Sequence, residues 1–175
     1  METRIIDGTA RRACTAANCS HVHWGDYSVG VGALVRRDDR ILLVRRAIQP
    51  GKGYWTNPGG YIEQHEPIDK SIEREVLEEA GIRAKAGNIL ALRDQPRDIH
   101  NVYIAFEMEY VEGEPTPDGV EADLAGFFSL EEMAEMNVAP FTKWLIGVAL
   151  GHNSAGLETD PEPATPDNAS VFFRA

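Results

Sequence analysis

The chain has 175 residues, enough for one globular domain with a modest appendage but not for two full enzyme domains. Hydrophobic residues make up 43% and charged residues 26%, which supports a packed core and excludes wholesale disorder. Lys and Arg total 17 against 28 Asp and Glu, and the net charge of −11 repels a polyphosphate backbone, disfavouring a polynucleotide partner, while supplying the oxygen ligands that magnesium prefers.

Residues 1–24 mix arginines, small residues and a Cys/His group that ends at Trp24, and read as an irregular arm. Cys14 and Cys19 are too few and too close to staple a secreted scaffold, so a reducing cytoplasm is expected. The first residues lack the basic-then-apolar plan of a signal peptide, and no later run approaches the roughly 18 apolar residues of a spanning helix. A soluble protein with no membrane partner is expected. Cys14, Cys19, His21 and His23 supply four borderline ligands, but the spacing Cys-x4-Cys-x-His-x-His is not that of a closed tetrahedral site, so no zinc is expected there.

From Tyr27 to Val35 the chain is β-rich, residues 36–40 make a polar turn, and Ile41–Arg46 is a second apolar strand, together a hairpin. Pro50-Gly51-Lys52-Gly53 breaks the pattern, and Pro58-Gly59-Gly60 forces a tight turn after Trp55. Pro67 suits a first helical turn, Ile68, Ile72, Val76 and Ala80 recur every fourth residue, and Gly81 stands where a left-handed C-cap is wanted, predicting a helix over 67–80. Strands follow at 89–93, 101–111 and 124–129, with helices at 130–136 and 140–151. Residues 152–175, with Pro161, Pro163 and Pro166, read as a mobile tail. The expected division is an arm over 1–25, a domain over 26–151 and the tail. Strands on both sides of one strong helix, with another helix at the end, indicate an α/β or α+β sandwich.

The chemistry lies in Gly60, Glu66 and the run Arg74-Glu75-Val76-Leu77-Glu78-Glu79-Ala80-Gly81-Ile82. At about 100° per helical residue, Glu75, Glu78 and Glu79 share one narrow arc, while Ile72, Val76 and Ala80 face the core. Three like charges so close repel and raise one another's pKa, a conflict that a divalent metal resolves. Arg74, one turn before Glu78, can orient a carboxylate, and Gly59 and Gly60 let backbone approach metal and phosphate. A Glu-rich helix in isolation would be a solvated face with i,i+4 pairs. The Pro-Gly-Gly before it and the full spacing argue otherwise.

These residues match the Nudix box, G-x5-E-x7-R-E-U-x-E-E-x-G-U with U a bulky aliphatic, at all nine defined positions. The chain thus resembles the Nudix hydrolases over about residues 28–150. The resemblance implies an α/β/α sandwich with a mixed sheet. It also implies magnesium-dependent hydrolysis, with manganese as a substitute, of a pyrophosphate bond in a nucleoside diphosphate linked to another group. Glu78 and Glu79 would be the principal metal ligands, Glu75 a ligand or handler of the attacking water, and the Gly59 carbonyl a further ligand. Glu121, from a distal loop, would act as base or additional ligand.

For substrate contact, Arg45 and Arg46 are adjacent on a strand, so alternation sends one of them to the cleft. Trp55 either stacks on a nucleobase or fills core. Leu42–Ala47, with Gly-Tyr-Trp before Asn57-Pro58-Gly59-Gly60, looks like the ADP-ribose-cleaving branch, although Asn57 replaces the apolar residue usual there. Pro96, 14 residues after the box, is a little short of where such relatives carry a proline. Clean-up of oxidised nucleoside triphosphates is a second enzymatic reading. A non-catalytic ligand sensor is a third, disfavoured by the intact carboxylates. The arm resembles a degenerate remnant of the zinc ribbon found in some relatives. The expected partner is a small-molecule nucleotide, with room for a homodimer.

Overall fold

In the computed structural model, which describes residues 1–151, 158–159 and 171–174, the chain opens with three short strands. These are β1 (Glu2–Ile6), β2 (Thr9–Ala13) and β3 (Val22–His23), and they pair as a separate antiparallel sheet. The arm is therefore ordered into strands, not irregular. Asp7 and Gly8 sit at φ of 50° and 80°, the positive pair that a two-residue hairpin turn of type I′ needs and that an Asp-Gly dipeptide readily adopts. The flanking strands carry arginines and are almost fully exposed, so no apolar alternation announces them.

The remaining elements are β4 (Tyr27–Arg37), β5 (Arg40–Arg46), β6 (Trp55–Thr56), β7 (Gly59–Tyr61), α1 (Ile68–Ala80), β8 (Arg83–Gln95), β9 (His100–Glu112), β10 (Ala122–Phe128), α2 (Leu130–Ala134), α3 (Pro140–Gly151), β11 (Glu158–Thr159) and β12 (Val171–Arg174). They form one sheet in the order β10-β5-β4-β9-β8-β12-β11, with β6 added to β5 and β7 to β4. β4 and β9 run parallel from Tyr27↔His100 onward and the other pairs are antiparallel, so the sheet is mixed.

Strand alternation then decides the layers. Val31, Ala33 and Val35 of β4 pack with Leu42 and Val44 of β5 against Ile72, Val76 and Ala80 of α1. Leu34, Ile41 and Leu43, one residue out of phase, pack with Leu145 and Ile146 of α3 on the opposite face. Helix, sheet and helix make the α/β/α sandwich. α1 runs one residue inside the expected span and stops at Gly81, whose φ of 67° gives the left-handed cap. β8 begins six residues before the predicted strand, because pairing with β9 carries Arg83–Asn88 into the sheet through bulges that weak apolar content does not foreshadow. No helix among the described residues is long and apolar enough to cross a membrane.

Residues 171–174 depart from the mobile tail expected for 152–175. They pair with β8 through Phe172↔Arg93, and Phe172, 1% exposed, packs edge-on against Trp144 of α3 at 4.9 Å. The two aromatics Phe172-Phe173 were the available signal. Positions 152–157, 160–170 and 175 of that tail lie outside the described residues. Phe172→Ala should destabilise the fold by about 3 kcal/mol, the usual cost of emptying a buried aromatic site. Urea unfolding measures it, and a loss below about 0.5 kcal/mol, the scale of an ordinary surface substitution, would contradict this packing.

Candidate active site

α1 meets the Pro58-Gly59-Gly60 turn at the carboxylate face. β7 approaches β4 so closely that a Cβ at Gly59 would fall 2.2 Å from the Val31 carbonyl oxygen, and a Cβ at Gly60 would fall 2.5 Å from the Glu75 carboxyl carbon. At Gly59 the obstacle is main chain and no side chain fits; at Gly60 it is the Glu75 carboxylate, which a side chain would displace. On the other side of the helix, Ile72, Val76 and Ala80 are fully buried, which fixes its rotation and so the direction of its acids.

Glu79 is 6% exposed and accepts the Gly59 N–H at 2.9 Å through Oε2. Burial pushes its pKa up to about 7. The Gly59 N–H and the Arg46 charge oppose the rise, and Glu75 and Glu121 add to it by repulsion. Burial also raises the Glu75 carboxyl, against the pull of Arg74 and with further repulsion from Glu78 and Glu121. Glu121 thus acts on both acids through its charge. Its loop is held by Asp118, whose carboxylate accepts the backbone N–H groups of Val120, Glu121 and Ala122 at 2.8–3.1 Å. Burial works against it, yet those N–H groups keep the Asp118 carboxyl below its ordinary range. Asp118 escaped the sequence reading. The Asp-Gly start of its loop, typical of turns in which the side chain caps the backbone, was the available signal.

Arg74 spans the acids. Its Nη1 donates to Glu75 Oε1 and Glu78 Oε2, each at 2.9 Å, and its Nε lies 3.2 Å from Glu66 Oε2, which also receives the Ser71 hydroxyl at 2.9 Å. Burial alone would lower the guanidinium pKa, but Glu66, Glu75 and Glu78 hold it above its ordinary value. Glu75 and Glu78 are thus drawn to Arg74, and Glu79 to Gly59. Among the described residues no three acidic, His or Cys side chains are gathered in metal-ligating geometry. The three glutamates share a face without converging on one point.

Of the adjacent arginines, alternation turns Arg46 to the acids, where its charge acts on Glu79 while its Nε donates to the Pro50 carbonyl at 2.8 Å. Arg45 instead pairs with both carboxylate oxygens of Asp123 on β10, at 2.8 and 3.0 Å. Trp55 packs edge-on to Phe128 at 4.8 Å, half-buried against the core on the α3 side. His100 pairs with Asp94.

The donor set suits a hard divalent cation. Buried, mutually repelling carboxylates gain stability when a cation neutralises them, and Gly59 and Gly60 bring main chain beside them without obstruction. A consequence is testable on metal-free protein. Glu79 titrates above its ordinary 4.5, so its contribution to stability is complete below that pH and is lost as pH rises through about 7. In EDTA, Glu79→Gln should stabilise the protein at pH 8 by roughly 3 kcal/mol, at about 1.36 kcal/mol per pH unit, and should flatten its Tm between pH 4.5 and 8. An unchanged profile would show that Glu79 is not under strain.

Residues 26–145 match the NUDIX domain. The ADP-ribose pyrophosphatase of Methanocaldococcus jannaschii is 32% identical over 112 residues, which are 62% of this chain and 66% of that protein. The NAD-capped RNA hydrolase NudC of Stutzerimonas stutzeri is 27% identical over 156 residues, 89% of this chain and 54% of that protein. The chain thus spans between about half and two thirds of these curated relatives. Among solved structures, a NUDIX hydrolase from Nitrosomonas europaea superposes with a TM-score of 0.69 at 26% identity, covering 87% of this chain and 89% of that one. A MutT NUDIX hydrolase from Burkholderia pseudomallei gives 0.62 at 29% identity, covering 69% and 96%. With the domain matched over more than half its length, on the helix and turn that carry the acids, the chain belongs to the NUDIX domain family.

Proposed function

We propose that the protein hydrolyses the pyrophosphate bond of a nucleoside diphosphate joined to a second sugar, with ADP-ribose or a close analogue as substrate, and that it needs magnesium. The observation that carries this reading is the strained carboxylate pair Glu75 and Glu79 beside the Gly59-Gly60 turn. Two relatives are named for ADP-ribose and for an NAD cap, both of which contain a diphosphate bridging two riboses.

Glu78, Glu79 and the Gly59 carbonyl are the metal-holding groups, with Glu75 and Glu121 as further donors. Magnesium, when bound, stabilises developing charge on the phosphoryl oxygens and acidifies water. The chain's own residues do the rest. Water attacks one phosphorus, the bridging P–O bond breaks, and two phosphomonoesters leave. Glu75 or Glu121 takes the water's proton. Arg46 stands beside the acids to meet a phosphate oxygen, and Arg74 keeps Glu75 and Glu78 aimed to one side of α1. A site that grips both ends of a bridged diphosphate can use that remote binding energy to place the bridge.

Glu79→Gln should lower kcat by at least a hundredfold, a loss of about 2.7 kcal/mol of transition-state stabilisation, with the fold retained. Near-parental magnesium-dependent turnover would exclude this helix as the active site. Comparing kcat/KM for ADP-ribose, NADH, a sugar nucleotide and an oxidised guanine triphosphate at one magnesium concentration should place ADP-ribose first. A tenfold lead by the triphosphate, about 1.4 kcal/mol, would replace this substrate with the clean-up reading.

A further inference from the structure

On the α3 side of the turn, polar side chains from three elements meet where the flanking core is apolar. Asn57 is 6% exposed and Thr142 of α3 only 1%. The Thr142 hydroxyl donates to Asn57 Oδ1 at 3.0 Å and faces the Asn57 N–H at 3.3 Å. Asn57 Nδ2 donates to the Tyr103 hydroxyl at 3.0 Å and to the Pro58 carbonyl at 3.3 Å. Tyr103 of β9 is itself seated tightly: its ring meets Phe141 edge-on at 5.2 Å, and a Cβ at Gly32 would overlap its hydroxyl. Burial pushes the Tyr103 phenol up to about 12, so it remains a neutral partner for the amide.

The direction of these bonds is informative. The Pro58 carbonyl, held by Asn57 and by the Ala33 N–H at 2.9 Å, shares a planar peptide unit with the Gly59 N–H that donates to Glu79. Tilting that plate at one end moves the donor at the other. Burying an amide is costly unless its groups are paired, and an apolar residue would fill the same space without that demand. Here part of the pairing goes to the peptide whose N–H meets the buried carboxylate.

We propose that Asn57 is a positioning residue for the metal-holding groups. Latched by Thr142 and Tyr103, it sets the tilt of the Pro58–Gly59 peptide, whose N–H meets Glu79, and with it the course of the chain that leads into the Gly59 carbonyl. The inference rests on the reading that these two groups hold a divalent cation. Manganese binding to substrate-free protein, followed by electron paramagnetic resonance, tests it without turnover. Asn57→Leu and Thr142→Val should each weaken manganese binding fivefold or more. Thr142→Ser, which restores the hydroxyl, should bind within twofold of the parent, and the Asn57→Leu/Thr142→Val double variant should be no weaker than Asn57→Leu by more than twofold. Should Asn57→Leu not fold, the Thr142 pair carries the test, because valine is nearly isosteric with threonine and serine supplies the rescue. Thr142→Val and Asn57→Leu binding within twofold of the parent, while Glu79→Gln binds weakly, would overturn the positioning role alone. Glu79→Gln binding as the parent does would remove the cation reading, and this inference with it.

Discussion

The burial of mutually repelling carboxylates on one helical face is the constraint on which the rest of the structure depends. Glu75 and Glu79 are held in or near the interior, where burial raises both carboxyls, with added repulsion from Glu75 on Glu79, from Glu78 on Glu75 and from Glu121 on both. Such a face persists because the fold supplies counterweights at fixed places. Arg74 bridges Glu75 and Glu78, the Gly59 N–H meets Glu79, and the fully buried Ile72, Val76 and Ala80 keep α1 from rotating away. The net charge of −11 adds to the tension. Under the proposed function, stability is thereby traded for a site that a bound cation would relieve, a common arrangement where function and folding compete.

That tension also explains the geometry of the main chain. A turn that must bring carbonyl and amide groups beside buried acids has no room for side chains, which is why Gly59 and Gly60 stand where a Cβ would strike Val31 or Glu75. Support comes from outside the helix: Asp118 shapes the loop that carries Glu121, and Asn57 braces the turn against α3. Asp118 does so within its own loop, and Asn57 through bonds to Thr142 and Tyr103, far along the chain.

What could be read beforehand follows from which forces act locally. The period of Ile68, Ile72, Val76 and Ala80, the cap at Gly81 and the spacing of the acids are all local, so α1 and the cluster were legible to within a residue. So were the apolar strands β4 and β5, whose alternation assigns two faces. The arm hid its hairpin because Arg4, Arg11 and Arg12 mask a turn written in two residues, Asp7-Gly8. Trp55 had two readings from composition alone, and only the position of Phe128 places it against the core. Asn57 looked like an anomaly in a familiar turn until Thr142 and Tyr103, 85 and 46 residues away, were found to pair with it. The choice between Arg45 and Arg46 likewise needed Asp123.

The proposed function requires the acids of α1, with the turn before it, to form a divalent-cation centre. Crystals soaked in manganese and a non-hydrolysable ADP-ribose analogue would test this most directly, by anomalous scattering. Manganese should be bound by Glu79 and the Gly59 carbonyl, with Glu75 or Glu78 released from Arg74 to complete the shell and the analogue's diphosphate against the ion. Ordered analogue with no manganese at α1, or manganese held elsewhere, would contradict it.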